Sequence, residues 1–335
     1  MSERFTRLTD VAVQLPEGSL TTPELEGRLA DRNPGVHIPR GMIEEVSGVR
    51  RRHVAASDQM ASDLAAAAAR KLLDKTGHAP PEIDLVIFAG VTYDAVEPAT
   101  AHLVAAKLGI DCPVFDVRNA CNSALNAIEI ADAFITSGRH STILIAGGEV
   151  TTPAMRWHLE SEEDFKAAVP SYTVSDVGTA MLLEASGTPG VLSHQFFAKS
   201  EHWQAAVVPV TRDRFGGFRS GAFTVDDVAL AVAVLKLDPA VLRRPLARHG
   251  FDWDDMAAIC VHQASLASLW WVCELAGIPR EKVMVTIEEH GNLAASTLPM
   301  QLHLAATGGR LHRGDLVALV GLASGISAGT VLVRW

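Results

Sequence analysis

Cysteine is scarce in this chain: four in 335 residues, at positions 112, 121, 260 and 273, with no C-x-x-C pair. That excludes a disulfide scaffold and fits a reducing compartment, so a cytoplasmic location is expected. Basic charge is also short. Lys and Arg number 29 against 39 Asp and Glu, for a net charge of -10. A nucleic-acid binder needs clustered Lys and Arg to displace counterions, so no nucleic acid is expected as a partner. No uncharged apolar run reaches the roughly 18 residues that a spanning helix needs. The first twenty residues mix charged and apolar types, unlike a signal peptide. A soluble chain with no membrane partner is the expectation. Low-complexity tracts are missing too, and the charged fraction of 20% is too low for disorder.

What the chain has is apolar material, 48% of residues. The mean hydropathy of +0.17 hints at buried helices or a buried subunit interface. Its length fits about two domains at roughly 150 residues each. Compact apolar runs predict strands at 83–89, 114–117, 141–146, 179–183, 256–261, 283–287, 316–320 and 329–333. Helices are predicted between them: 57–76, 98–108, 123–137, 225–237, 238–249, 265–275 and 298–306. Two of these, 123–137 and 265–275, are apolar nearly all round and predict burial. Strands alternating with helices imply βαβ units and a largely parallel sheet. The halves resemble each other, with Ser141–Gly148 facing Leu316–Ala323. The expected division is 1–186 and 187–335, with 187–223 as an irregular joint.

Three residues stand where strands give way to helices. Cys121 follows a short strand and precedes an apolar helix. A thiol there feels the positive end of the helix dipole, which favours the thiolate. Most free cysteines are small buried hydrophobes, and Cys112, Cys260 and Cys273 fit that description better. His262 ends the strand 256–261, where α/β proteins place chemistry. It could activate a thiol, polarise a thioester carbonyl, or simply cap. Cys260 and His262 lack a second ligand pair of suitable spacing, so no metal is expected. Asn292, before an Ala-rich segment, could cap a helix or donate to a developing oxyanion. Gly325-Ile-Ser-Ala-Gly329 fits the serine-hydrolase elbow. Only Thr330–Trp335 follow, with neither Asp nor His, and that excludes an α/β-hydrolase.

Together these segments resemble ketoacyl synthase III and its relatives in the thiolase superfamily. The resemblance runs from Ser47–His53 through Asp84-Leu-Val-Ile, the Cys121 segment, Val261-His-Gln-Ala and Gly291–Pro299. It ends in Gly314-Asp-Leu-Val to Val333-Arg-Trp335. It implies a thiolase-like five-layered αβαβα fold with two pseudo-repeated halves, and a homodimer. It implies a Cys-dependent acyltransferase that condenses an acyl-Cys121 with a second acyl thioester, in lipid or polyketide-type biosynthesis. The alternative is acyl transfer to an O, N or S acceptor without C–C bond formation. By resemblance, His262 and Asn292 hold the second thioester carbonyl, and the N–H groups of Cys121 and Ser324 form the oxyanion hole. A degradative thiolase is disfavoured, since no cysteine follows Cys273. A silent partner subunit is disfavoured because Cys121, His262 and Asn292 are all kept.

Two departures sharpen the expectation. Relatives that use coenzyme A often carry Trp and Arg before the Gly48 position, and this chain has Met42 and Val46. That shifts the expected donor from coenzyme A toward an acyl carrier protein, without deciding between them. Arg212, Arg214 and Arg219, or Arg243, Arg244 and Arg248, could receive an acidic carrier. The second departure is Glu97. Similar enzymes that join two fatty acyl thioesters head to head carry Glu here, where it is thought to deprotonate the acyl α-carbon across the dimer. No cofactor beyond the thioester substrates is expected.

Overall fold

The computed structural model describes residues 4–236 and 238–335. Two mixed sheets carry the fold. In the first, strands lie in the order Phe5–Gln14, Val177–Ser186, Thr142–Glu149, Leu85–Ala89, Val114–Val117. In the second, the order is Val191–Ala198, Ser327–Arg334, Leu316–Ala323, Ala258–Val261. Pairing senses match position by position: two antiparallel contacts, then parallel ones. A lone parallel bridge from Ile259 to Val283 stands where the second sheet would hold a fifth strand. The chain leaves the first sheet at Ser186 and enters the second at Val191.

Period-two burial sorts the strand side chains. Leu85, Ile87 and Ala89 join a central apolar cluster, while Val86 and Phe88 join an outer one. Ala258 and Cys260 face the same central cluster, and Ile259 and Val261 face the opposite outer one. Both faces of each sheet are therefore covered, and this is why the strands read as unbroken apolar runs. The helices Ser123–Thr136 and Thr297–Thr307 fill the central layer. Ala61–Thr76 and Thr100–Leu108 cover the first sheet, and Ala240–Ala247 and Leu266–Ala276 lie on the second half's outer side. The result is five layers, αβαβα, from two repeated halves. Ile128, fully buried between the sheets, shows the stake: truncation to Ala costs about 2–5 kcal/mol.

Several expectations need correction. The sheets are mixed, because one strand in each, Val177–Ser186 and Ser327–Arg334, runs antiparallel to both of its neighbours. Phe5–Gln14 was not foreseen, and neither was Val191–Ala198 inside the supposed irregular joint. Polar Ser193, His194 and Gln195 hide the second of these. Residues 283–287 make one bridge and then a helical turn at Ile287–His290. The helix Leu266–Ala276 buries only Leu269 and Cys273, since it lies in an outer layer. The helix foreseen at 225–237 is Asp227–Leu235, and its expected end at Leu237 lies outside the described residues. The matched segments 141–148 and 316–323 correspond with a shift of one residue. Ile143 and Ile145 share the central face with Val317 and Leu319, and a one-residue slip would turn every side chain over.

Candidate active site

The two buried helices begin from the same kind of turn. Ala120, three residues before Ser123, has φ +47°, and Ala294, three residues before Thr297, has φ +48°. Left-handed backbone is costly for alanine, so packing around both turns must enforce it. In the first turn Asn122 N–H donates to Asn119 O (3.0 Å) and Ser123 N–H to Ala120 O (3.1 Å). In the second, Ser296 N–H donates to Leu293 O (2.9 Å) and Thr297 N–H to Ala294 O. Cys121 thus corresponds to Ala295, and Asn122 to Ser296.

Each turn is seated on the sheet of the other half. A Cβ on Gly321 would run into Asn122 Oδ1 and lie 2.6 Å from Leu125 Cδ1. A Cβ on Gly147 would lie 2.6 Å from Thr179 Oγ1 and 3.1 Å from Ser296 Oγ. Glycine is required at both seats for close approach. Bonds tie the exchange: Asn122 Nδ2 donates to Ser327 Oγ (2.9 Å), and the Ser296 and Thr179 hydroxyls share a bond of 3.0 Å. The first of these ties the residue after Cys121 to Ser327, where the strand Ser327–Arg334 begins after the turn that holds Ser324. The strand of His262 runs alongside, with His262 N–H donating to Val320 O (2.9 Å).

The electrostatics overturn one expectation. Cys121 is half-buried, and its dry surroundings push the thiol up to about 12, with the nearby Glu149 carboxylate adding to the rise. Desolvation outweighs the helix end, so the resting group is the thiol. Burial also brings His262 down to about 4, leaving a neutral imidazole whose buried Nδ1 has no partner among the described residues. Asn292 is buried, and its Oδ1 accepts from Ala294 N–H (3.0 Å), which fixes the amide and leaves Nδ2 as donor. It does not cap the helix; Ser296 occupies that position.

Glu97 is exposed on a loop, beside Val96 at 92% exposure. Within one chain it faces solvent. That loop adjoins the open edge strand Val114–Val117 across a cavity of about 150 Å³, lined by Phe88, Thr92, Tyr93, Val96, Val117 and Arg118. Of the two basic clusters, Arg243 and Arg244 are paired with Asp252 and Asp238. Arg219 pairs with Asp213, and Arg212 and Arg214 lie over Phe218 and Phe215 on an exposed hairpin. Sequence reasoning passed over Glu149, a fully buried acid. The signal was available: an acidic residue closing an unbroken apolar strand at Gly147-Gly148-Glu149. No group of three or more His, Cys, Asp or Glu side chains among the described residues could hold a metal, and no helix among them is long and apolar enough to cross a membrane.

Residues 246–335 match the family model described as 3-oxoacyl-(acyl-carrier-protein) synthase III C terminal, and residues 46–186 match that of thiolase, N-terminal domain. The chain is similar to a variant of OleA from Xanthomonas campestris at 25% identity and TM-score 0.89, covering 99% of this chain and 98% of that one. It is equally similar in sequence, at 25%, to an OleA variant crystallised with bound lauric acid and lauroyl-CoA (TM-score 0.87, 99% of each chain covered). It is 28% identical to 3-oxoacyl-(acyl-carrier-protein) synthase III from Aquifex aeolicus, with TM-score 0.82 over 98% of this chain and 100% of that one. Among the OleA structures are variants altered at a glutamate, a cysteine and a histidine, in that chain order.

Proposed function

Since the chain is a ketoacyl synthase III-like member of the thiolase superfamily, an acyltransferase that condenses acyl thioesters, we propose that Cys121 carries the acyl group. The observation that supports this most is the seat of Cys121. It stands on a strained turn at a buried helix N-terminus, and the next residue, Asn122, is bonded to Ser327 of the other half. Attack by the Cys121 sulfur on a thioester carbonyl forms a tetrahedral oxyanion. The N–H groups of Cys121 and Ser324 receive it, and the donor thiol leaves with the proton lost by Cys121. A neutral His262 takes part in moving that proton. The second thioester then places its carbonyl oxygen toward His262 and Asn292, whose N–H groups stabilise the enolate.

Glu97 of the partner subunit is the base for the α-carbon in this reading. Its exposure, and its place beside an open sheet edge, support a homodimer that closes there. The order Glu97, Cys121, His262 repeats the order of residue types altered in OleA. The new carbanion attacks the acyl-Cys121 carbonyl, a C–C bond forms, and the Cys121 thiolate is released. The donor is an acyl carrier protein or coenzyme A. Arg212 and Arg214, lying over aromatic rings rather than paired with carboxylates, would receive the acidic carrier. The scheme needs no cofactor beyond the thioesters.

Intact mass after mixing with an acyl thioester tests the nucleophile. Wild type gains one acyl group and Cys121→Ala gains none; an adduct that survives in Cys121→Ala overturns the assignment. Condensation by Cys121→Ala falls at least about 10³-fold. Glu97→Gln keeps the adduct and loses the C–C product, and unchanged condensation would remove Glu97 from the mechanism.

A further inference from the structure

One stretch of the second half meets water with apolar side chains. Of the eleven large apolar residues exposed among those described, eight lie between Trp203 and Leu235. The stretch contains a β-arm. Ala206–Val207 pairs with Thr224–Val225, and further out Val210–Arg212 pairs with Phe218–Ser220, both antiparallel. The arm is rooted beside the site. Lys199 N–H donates to Ile326 O (2.8 Å), in the turn that holds Ser324, and Ser200–Ala205 leads from there into the arm. All six residues of the outer pair of strands are exposed. A two-stranded ribbon with nothing packed on it is marginal in water. Directly paired residues share a face, as do residues two apart along a strand. Val210, Arg212, Phe218 and Ser220 therefore form one face, and Thr211, Asp213 and Arg219 the other. The second face neutralises itself, through Arg219 and Asp213 at 3.2 Å. On the first face Arg212 lies over Phe218, and at the tip Arg214 lies over Phe215. Phe215 and Phe218 are 81% and 72% exposed. Neither Arg212 nor Arg214 has a carboxylate partner among the described residues.

We propose that this arm docks on an anionic lipid surface, from which the enzyme takes its acyl thioesters. At such a surface phenylalanine enters the acyl boundary while arginine reaches the lipid phosphates, and here the two residue types come in pairs. Three Arg and one Asp in residues 206–225 make the arm locally basic in a chain of net charge -10, the sign that anionic lipid attracts. At the foot of the arm the helix Asp227–Leu235 adds exposed Val228, Val232 and Leu235 at helical spacing, while Ala229, Leu230 and Ala233 pack inward. The lack of a spanning helix does not bear on contact of this kind, which lies on the bilayer and does not cross it. An acidic carrier protein is the competing occupant. Its carboxylates would account for the arginines and not for two phenylalanines standing clear of any cavity. On the lipid reading the donor is coenzyme A, whose long-chain thioesters collect in bilayers through the CH₂ groups they bury. The use of the arm for acyl transfer rests on Cys121 being the nucleophile; the docking does not.

The test is co-sedimentation of the full chain with vesicles of phosphatidylcholine alone and of phosphatidylcholine mixed with phosphatidylglycerol. Wild type should sediment with the mixed vesicles, less with phosphatidylcholine alone, and should be released as salt rises. Phe215→Ala with Phe218→Ala should lower partition at least about tenfold on the mixed vesicles. Arg212→Gln with Arg214→Gln should lower it about tenfold or more there, and far less on phosphatidylcholine alone. All four side chains are exposed, so the variants should keep the wild-type urea midpoint. Wild type that stays in the supernatant with mixed vesicles overturns the proposal. A phenylalanine variant that binds like wild type also overturns it, because charge alone then acts, as an acidic carrier would require. A phenylalanine variant that loses a dimer formed by wild type in sedimentation velocity overturns it as well, because the arm then covers a second copy of the chain. Acyl-adduct formation by the same wild-type preparation keeps the two readings apart. Sedimentation without an adduct leaves the docking and removes the nucleophile; an adduct without sedimentation does the reverse.

Discussion

At one end of the central layer Ala120 takes φ +47° and Cys121 follows; at the other Ala294 takes φ +48° and Ala295 follows. The first backbone bond of each turn has nearly the same length, 3.0 Å at Asn122 and 2.9 Å at Ser296. What differs is the fate of one N–H. Ala295 N–H donates to the Glu149 carboxylate, whereas Cys121 N–H has no carbonyl partner among the described residues. Both turns aim a helix-terminal N–H at negative charge, which such termini favour. At the second turn the charge belongs to a resident carboxylate. At the first, in the mechanism proposed above, it arrives with the substrate, as the oxyanion of acyl transfer. The strain is therefore not by itself a mark of catalysis. It belongs to the seating of each helix in the opposite half, and one seat has kept its anion position open.

The glycine seats give the largest expected effect. Gly321→Ala presses a methyl into Leu125 and into Asn122, the residue after Cys121. Gly147→Ala presses one into Thr179 and Ser296. Overpacking of this kind costs about 1–3 kcal/mol, and both variants should lose that much in urea unfolding. Activity should separate them. A displacement next to the proposed nucleophile costs about 10²-fold, and Gly321→Ala should show it in the rate of adduct formation. Gly147→Ala should acylate near the wild-type rate. Equal losses of acylation would break the distinction between the turns.

The next effect is in stability against pH, where the two turns have opposite signs. His262, beside the first turn, has its folded pKa lowered to about 4, so protonation favours the unfolded chain. Its contribution is full above the unfolded value near 6.5 and is lost as pH falls toward 4. Glu149, at the second turn, has its folded pKa raised to about 7 from 4.5. Its contribution is full below 4.5 and is lost as pH rises through 7. Both swings are on the order of a few kcal/mol. Urea midpoints between pH 4.5 and 7.5 should therefore fall less in Glu149→Gln than in wild type, once compared at a common low pH. An identical slope in both proteins would remove the charge difference between the turns.

The sequence exposed Cys121 and His262 because each follows an apolar strand run, and Asn292 because it precedes an Ala-rich segment; those patterns survive without coordinates. It also exposed the two-half arrangement, through the alternation of strands and helices. The one-residue register between 141–148 and 316–323 was hidden, since both faces of these strands are apolar and period two leaves no mark. Val191–Ala198 was hidden for the opposite reason, a polar edge strand that carries little apolar signal. The thiol's protonation depends first on burial and only then on Glu149, 28 residues away in sequence, and no local rule reaches either. Glu97 was legible as a departure. The single chain leaves it in solvent, so any role it has depends on a second subunit.

The smallest expected effect comes from relieving the strain itself. Ala294→Gly and Ala120→Gly each remove a left-handed alanine, a conformation that costs about 1–2 kcal/mol. Glycine gives back part of this through its freer unfolded chain, about 0.5–1 kcal/mol. Each variant should therefore be stabilised by no more than about 1 kcal/mol, seen as a small rise in the urea midpoint. The turns should differ again in chemistry. The second turn keeps its N–H on Glu149, a fixed partner, so Ala294→Gly should leave acylation unchanged. The first turn has no resident partner to hold its N–H when the backbone loosens. Ala120→Gly should thus lose a few-fold in acylation rate while gaining the same stability. If both variants kept full acylation, the open N–H at Cys121 would be held by the surrounding packing alone. The left-handed alanine would then be a consequence of the helix exchange, with no part in aiming the oxyanion hole.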